Sequence, residues 1–253
     1  MWRLEAGHGD PSKANEFLDY ILSIRPAALW MSFGVELERW VHTVRERESQ
    51  GKTRTPIFIV IGSVTEAKTV ANWDIDAVVV QGIEAGGHGP SYEKGLPLIS
   101  ILGVVNKHYE TLPSPPLILA AGGIVTGRQL VSILPLASAA VLGTALLVTP
   151  ESLYTDAQKA LLVKSSGEDT VRTMRFDLGR GTLGWGTGTD GRGIRNETTT
   201  GTEEGEELKQ KYNEAAKAGD IKRIVTWSGM HQLLREKTKT AALTWFAKAP
   251  LSS

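Results

Sequence analysis

The 253-residue sequence contains no cysteine, which excludes disulfides, thiolate metal sites, iron–sulfur clusters and cysteine nucleophiles. It also lacks an excess of either charge, because 28 Lys and Arg balance 28 Asp and Glu. Binding to a phosphate backbone needs a basic excess, so we expect no nucleic-acid partner. No apolar run approaches the ~18 residues that span a bilayer, and the first residues do not form a secretory signal. We therefore expect no membrane partner and a cytoplasmic location.

Glycine, by contrast, is abundant: the 27 glycines are about half again the ~7% usual in proteins. Several follow apolar runs directly, and seven lie in residues 179–195. That stretch has almost no apolar periodicity, which predicts a mobile loop or lid.

Five short apolar segments alternate with longer amphipathic ones. They are residues 27–33, 57–61, 77–80, 117–121 and 138–143. Strands that are apolar on both faces and that each lead into a helix predict a parallel sheet with βα crossovers. The pattern leaves open the choice between a doubly wound sheet and a (β/α)8 barrel, because a closed barrel would need three more strands.

Helices are predicted from capping residues and amphipathic periodicity. Ser63 with Glu66, and Thr126 with Gln129, have the spacing of capping boxes, in which each side chain accepts a hydrogen bond from the other's free backbone amide. Two further helices are predicted to begin near Ser12 and Pro150, and another carries Trp40, Val41 and Val44 on one face. A helix is also predicted to follow the acidic stretch Glu203–Glu207 and to end at Ala218, with Gly219 as its cap. A last helix is predicted at 230–247.

The most informative segment is Gln81–Pro90, which reads Q-G-I-E-A-G-G-H-G-P directly after a predicted strand. Glycines at a strand end allow the backbone to approach a ligand closely, and their bare amides can bind an anion. The amide of Gln81 could bind the edge of a heterocycle. The imidazole of His88 can exchange a proton near neutral pH. The alternative is a tight glycine turn with a surface histidine.

Two further segments have the same position relative to a strand. Gly122 and Gly123 follow the fourth predicted strand and precede the capped helix at Thr126, and Gly143 with Thr144 follows the fifth. Backbone amides at such strand ends are typical of phosphate sites, although a turn that merely needs positive φ would look similar. Neighbouring strands that both end in such loops favour a phosphate. The other four histidines have no comparable context, and no residue is assigned to a metal.

Together these segments resemble the nitronate monooxygenase (2-nitropropane dioxygenase) family, whose members are FMN-dependent TIM-barrel enzymes. The shared features are Q-G-I-E-A-G-G-H, then A-A-G-G-I, then L-G-T-A-L-L-V-T-P-E-S. S-F-G and G-S-V-T-E-A resemble the family's earlier strand ends, and D-G-R-G-I-R-N and T-W-S-G-M resemble its C-terminal lid region.

The resemblance implies a role for each matching residue. His88 corresponds to the active-site base that takes a proton from a neutral nitroalkane, and Gln81 to a flavin contact. The implied FMN site also contains the strand-end residues Gly86, Gly87, Gly122, Gly123, Gly143 and Thr144. The implied reaction oxidises an alkyl nitronate with O2 to a carbonyl compound and nitrite.

The family begins with about three further strands, the first ending in A-P-M, and this chain starts at Met1-Trp2-Arg3-Leu4, about where the third would end. The expected fold is therefore an incomplete TIM-barrel type with about five βα units. We expect residues 1–165 to form this FMN-binding domain and residues 166–253 to form a glycine-rich lid with C-terminal helices.

The alternatives to this function are an FMN-dependent enoyl reductase, which shares the glycine–histidine motif, another flavin oxidoreductase, or a catalytically inactive relative. A homo-oligomer is also expected.

Overall fold

The computed structural model describes residues 11–49 and 54–230. Its strands are β1 (Leu29–Met31), β2 (Ile57–Ile61), β3 (Ala77–Gln81), β4 (Gly87–Pro90), β5 (Leu117–Ala121), β6 (Ala139–Val141), β7 (Thr170–Thr173) and β8 (Thr189–Ile194). Its helices are α1 (Pro11–Ser23), α2 (Leu37–Ser49), α3 (Val64–Val70), α4 (Leu98–Tyr109), α5 (Gly127–Ile133), α6 (Thr144–Leu147), α7 (Asp156–Lys164), α8 (Arg175–Arg180), α9 (Glu197–Thr200) and α10 (Gly205–Ala218).

The main sheet is parallel, in the order β1-β2-β3-β5-β6. All five predicted strands are confirmed, and helices connect them as predicted. The described strands do not close into a barrel, and β1 and β6 form the two edges of the sheet. Parallel strands point the same way, so the loops after β3, β5 and β6 all lie at one edge of the sheet.

The main hydrophobic core lies between one face of this sheet and the helices. Ile57, Ile59 and Ile61 of β2 point into it and are at most 1% exposed. The predicted stripe of α2 supplies Trp40 and Val44 from the other side. The opposite sheet face is less covered, and Trp30 is 49% exposed there. The alternation follows from the strand period of two, which sends successive side chains to opposite faces.

The predicted helix caps are confirmed at two helices. The Ser63 hydroxyl accepts from the Glu66 amide at the start of α3, while the Glu66 carboxylate reaches one residue further back, to the Gly62 amide. Thr126 and Gln129 form a reciprocal capping box at α5.

The predicted helix start at Pro150 is wrong. The Thr149 amide and hydroxyl both donate to the Leu146 carbonyl, so this threonine closes α6 instead of opening a helix at Pro150. The next helix begins at Asp156, where Thr155 and Gln158 form a capping box.

The predicted mobile loop over 179–195 is wrong in its second half. Residues 189–194 form β8, the central strand of an antiparallel sheet in the order β4-β8-β7. Its glycines permit close packing: a Cβ on Gly191 would lie 2.5 Å from the Trp227 ring, and one on Gly193 would lie 3.0 Å from the Thr226 carbonyl oxygen. Glycine at these positions reflects close approach of a neighbouring chain segment, which periodicity does not reveal.

The predicted helix that ends at Ala218 is confirmed as α10, and Gly219 has the expected left-handed conformation with φ of 66°. The helix predicted at 230–247 lies outside the described residues after Met230. Among residues 11–49 and 54–230, no helix combines the length and the apolar character needed to cross a bilayer.

Candidate functional site

A cavity of about 280 Å3 opens at the carboxyl edge of the parallel sheet. Residues from the ends of β3, β5 and β6 line it together with Trp227 and Gly229. Every residue that the sequence assigned to cofactor binding lies in its wall: Gln81, Gly86, Gly87, Gly122, Gly123, Gly143 and Thr144.

Backbone amides supply the hydrogen-bond donors of this cavity. The amides of Gly122, Gly123 and Gly143 donate to no acceptor among the described residues. Gly122 and Gly123 have φ of 120° and 69°, a region that disfavours side chains. A Cβ on Gly122 would also lie 3.1 Å from the Ala85 amide nitrogen. Three unpaired donors in one concavity suit an anion with several oxygens, such as a phosphate.

Gln81 ends β3 and connects the cavity with the loop that carries His88. Its Nε2 donates to the His88 carbonyl at 3.1 Å. Its Oε1 is buried and has no hydrogen-bond partner among the described residues. A buried acceptor without a donor is costly, and a ligand N–H would satisfy it. The residue therefore fits contact with a heterocycle edge.

His88 lies on β4, beside the cavity and outside its lining. Its Nε2 is 2.9 Å from Asp177 Oδ2, and its side chain is 9% exposed. The imidazole stacks on Trp185 with ring centroids 3.6 Å apart and meets Trp227 edge-on at 4.9 Å. Trp227 thus contacts the histidine and also forms part of the cavity wall. The alternative interpretation, a surface histidine, is wrong because the ring is enclosed.

Asp177 is a site residue that sequence reasoning missed. Its side chain is fully buried, and its Oδ1 accepts hydrogen bonds from the Thr182 hydroxyl at 2.7 Å and the Trp185 indole at 3.1 Å. Burial raises the pKa of this carboxyl, but the hydrogen bonds from His88, Thr182 and Trp185 outweigh burial and hold the pKa below its ordinary value. Nothing in R-F-D-L-G-R-G signals this role, because the partner histidine is 89 positions away.

Two buried arginines fix the loop between β3 and β4. Arg172 donates to the Ala85 carbonyl at 3.1 Å and pairs with Asp190 at 2.6 Å, and Arg192 donates to the Ile83 carbonyl at 3.2 Å. Burial, together with repulsion from Arg172, lowers the pKa of Arg192 to about 10. Both guanidinium groups remain charged at neutral pH. Their contacts set the position of the glycines that follow.

Trp227 and Gly229 line the cavity from the side of the antiparallel sheet, and the segment around them is held by hydrogen bonds. The amides of Val225 and Trp227 donate to the hydroxyls of Tyr212 and Tyr154, at 2.9 and 2.8 Å. The Gly229 amide donates to Thr144 Oγ1 at 2.8 Å. Thr144 thereby accepts one bond and keeps its own hydroxyl proton for a ligand. Two residues of the T-W-S-G-M segment, Trp227 and Gly229, are therefore part of the cavity wall.

The fold and the site define a class: an α/β protein of the TIM-barrel type, with an amide-lined cavity at the carboxyl edge of its parallel sheet. Within that class the chain belongs to the nitronate monooxygenase family, whose family model matches residues 18–243. It is 33% identical over 181 residues to a nitronate monooxygenase of Neurospora crassa, covering 68% of this chain and 47% of the relative. It is 31% identical over 208 residues to the nitronate monooxygenase npaC of Metarhizium robertsii, covering 78% and 56%. The chain thus spans about half the length of these relatives.

Solved structures agree with this fold. A nitroalkane oxidase from Streptomyces ansochromogenes superposes with a TM-score of 0.67 at 28% identity, covering 89% of this chain and 63% of that chain. FabK from Thermotoga maritima superposes with a TM-score of 0.65 at 20% identity, covering 88% and 66%. The second likeness concerns the fold alone. The expected α/β fold of the TIM-barrel type is confirmed.

Proposed function

We propose that the protein is an FMN-dependent oxidoreductase that oxidises alkyl nitronates with O2 to a carbonyl compound and nitrite. Membership of the nitronate monooxygenase family supports the reaction class and a flavin. A small nitronate and O2 are the proposed partners, and a homo-oligomer in the cytoplasm is the proposed setting. Residues 1–165 would form the FMN-binding domain, and residues 166–253 its covering region.

The observation that carries the proposal is the set of unpaired amides in the cavity. Gly122 and Gly123 follow β5, Gly143 follows the neighbouring β6, and none of their amides has a described acceptor. A phosphate dianion accepts several such bonds at once and needs no side-chain cation. We assign the FMN phosphate to these amides and the Thr144 hydroxyl, with Gly86 and Gly87 alongside. Gln81 Oε1 would accept from the edge of the flavin ring, which supplies the two-electron acceptor when bound.

His88 is the proposed base. Its Nε2 is occupied by Asp177, while its Nδ1 makes no hydrogen bond with a described residue. A neutral imidazole can take a proton from a carbon acid at that free nitrogen. The tryptophans on either side of the ring limit its contact with water. The step breaks a C–H bond of a neutral nitroalkane, leaves the electron pair on the nitronate and places the proton on His88.

The test measures flavin absorption of the protein and compares an alkyl nitronate with NAD(P)H as reductants of the bound flavin. Purified full-length chain is mixed with excess FMN, separated from free flavin and examined for flavin absorption. We expect retained FMN, and rapid anaerobic bleaching by an alkyl nitronate without NAD(P)H. Bleaching only by NAD(P)H would favour the enoyl reductase alternative. A colourless protein would contradict FMN binding and favour a catalytically inactive relative.

A further inference from the structure

A chain of hydrogen bonds leads from the glycine-rich segment to His88. The Thr182 hydroxyl and the Trp185 indole both donate to Asp177 Oδ1, and Asp177 Oδ2 lies 2.9 Å from His88 Nε2. The Trp185 indole also donates to the Thr182 carbonyl at 2.9 Å, which ties the two donors to each other. Asp177 itself is fully buried, and the partners of its two oxygens are distinct.

We propose that Asp177 is a positioning residue that holds His88 in the tautomer with the proton on Nε2, so that Nδ1 carries the lone pair. A carboxylate can only accept hydrogen bonds. Because Asp177 Oδ2 faces Nε2, that nitrogen must donate. The family motifs of this sequence do not include Asp177, and its role as a partner of the base rests on the proposed function.

The two tryptophans make the choice of tautomer depend on Asp177. Stacking on Trp185 at an interplanar angle of 15°, with Trp227 at the ring edge, restrains the plane of the imidazole. With the plane restrained, the group that faces Nε2 decides which nitrogen is protonated. After proton uptake at Nδ1, the imidazolium would still donate from Nε2 to the carboxylate, which stabilises the new charge.

The variant Asp177→Asn gives a specific prediction. Thr182 and Trp185 both donate to Oδ1, so the amide oxygen of an asparagine should remain with them and its NH2 should face His88. Nε2 would then have to accept, and the proton would move to Nδ1. The substitution should therefore reverse the tautomer with almost no change in side-chain volume.

The experiment is 15N NMR of the full-length chain labelled at histidine, recorded at mildly alkaline pH. Loss of one set of signals in His88→Gln identifies the residue among the five histidines. In the wild type we expect a protonated Nε2 whose proton exchanges slowly with water, and in Asp177→Asn a protonated Nδ1. Asp156→Asn, an exposed aspartate at the start of α7, is the matched control and should leave His88 unchanged.

Several results would overturn the proposal: a wild-type His88 protonated on Nδ1, a wild-type Nε2 proton in fast exchange with water, or an unchanged tautomer in folded Asp177→Asn. The wild-type measurements decide even where the variant does not fold. The NMR measurement needs neither FMN nor turnover. If the tautomer reverses in Asp177→Asn and the protein binds no flavin, the positioning role of Asp177 is supported and the proposed function is contradicted. The opposite result, nitronate oxidation with an unchanged tautomer, would contradict only the role of Asp177.

Discussion

At the scale of single residues, the groups that lack protein partners indicate where a ligand binds. Three cavity amides and the Gln81 Oε1 have none among the described residues, whereas both oxygens of Asp177 are used. Buried polar groups are normally paired, so the unpaired ones mark where a ligand is expected. The paired oxygens of Asp177 mark the structure that holds the proposed base, His88.

Replacing His88 separates the two kinds of substrate. A nitronate is already deprotonated, so only a neutral nitroalkane needs a base. We expect His88→Asn to reduce turnover of neutral nitroalkanes by about 10²–10⁴-fold and turnover of preformed nitronates far less, measured by steady-state kinetics on both substrates. Equal losses on both would argue against a base.

Crowding the amide cavity should weaken FMN binding. The backbone of Gly143 has negative φ, and a Cβ there would meet no protein atom within 4 Å, so Gly143→Val should fold. Gly122→Val adds backbone strain at φ of 120°. We expect both to weaken FMN binding by about tenfold or more, the effect of roughly 1–3 kcal/mol of crowding, measured by quenching of flavin fluorescence. Gly103→Ala, on the exposed side of α4, is the control; unchanged affinity in Gly143→Val would remove the phosphate from this position.

Acid should remove the stabilisation that comes from Asp177. Its folded-state pKa is held below the ordinary value, so the carboxylate stabilises the fold above the unfolded pKa of about 4, and this contribution is lost as the pH falls through the folded pKa. The difference in unfolding free energy between wild type and Asp177→Asn should therefore shrink below about pH 4. Denaturant titrations at several pH values measure it; a difference independent of pH would contradict the assignment.

At the scale of elements, the antiparallel sheet forms one side of the site. β4 carries His88, and β8 pairs with it so that Gly191 lies opposite His88. The ring of Trp227 occupies the space that a side chain on Gly191 would need. The small residues of β8 thus leave room for an aromatic side chain that contacts the histidine ring and also lines the cavity.

Adding a methyl group to β8 by substitution tests whether this segment is a closely packed strand or a loose loop. Gly191→Ala would place a Cβ 2.5 Å from the Trp227 ring and should lower the free energy of unfolding by about 1–3 kcal/mol. Chemical denaturation followed by tryptophan fluorescence measures this change. The same substitution at the exposed Gly103 should not destabilise the fold. Wild-type stability in Gly191→Ala would show that the strand is not packed as described.

At the scale of the whole molecule, sequence patterns predicted the parallel sheet because its strands are continuous apolar runs such as I-F-I-V-I at 57–61. The glycine loops after β5 and β6 were predictable for the same reason, since glycines after such runs fall at one sheet edge. β7 and β8 were not, because T-V-R-T and T-D-G-R-G-I carry neither strand periodicity nor a long apolar run. The pairing of Asp177 with His88 was also beyond local patterns, since only the fold brings together residues 89 positions apart.

The proposed function depends on the binding of a phosphate dianion by unpaired amides at two neighbouring strand ends. Parallel fluorescence titrations of the full-length chain with FMN and with riboflavin, which lacks only the phosphate, test it most directly. We predict that FMN binds at least about a hundredfold more tightly, a difference of roughly 2.7 kcal/mol, and that added inorganic phosphate competes with it. Equal affinities for the two flavins, with no competition by phosphate, would contradict the account.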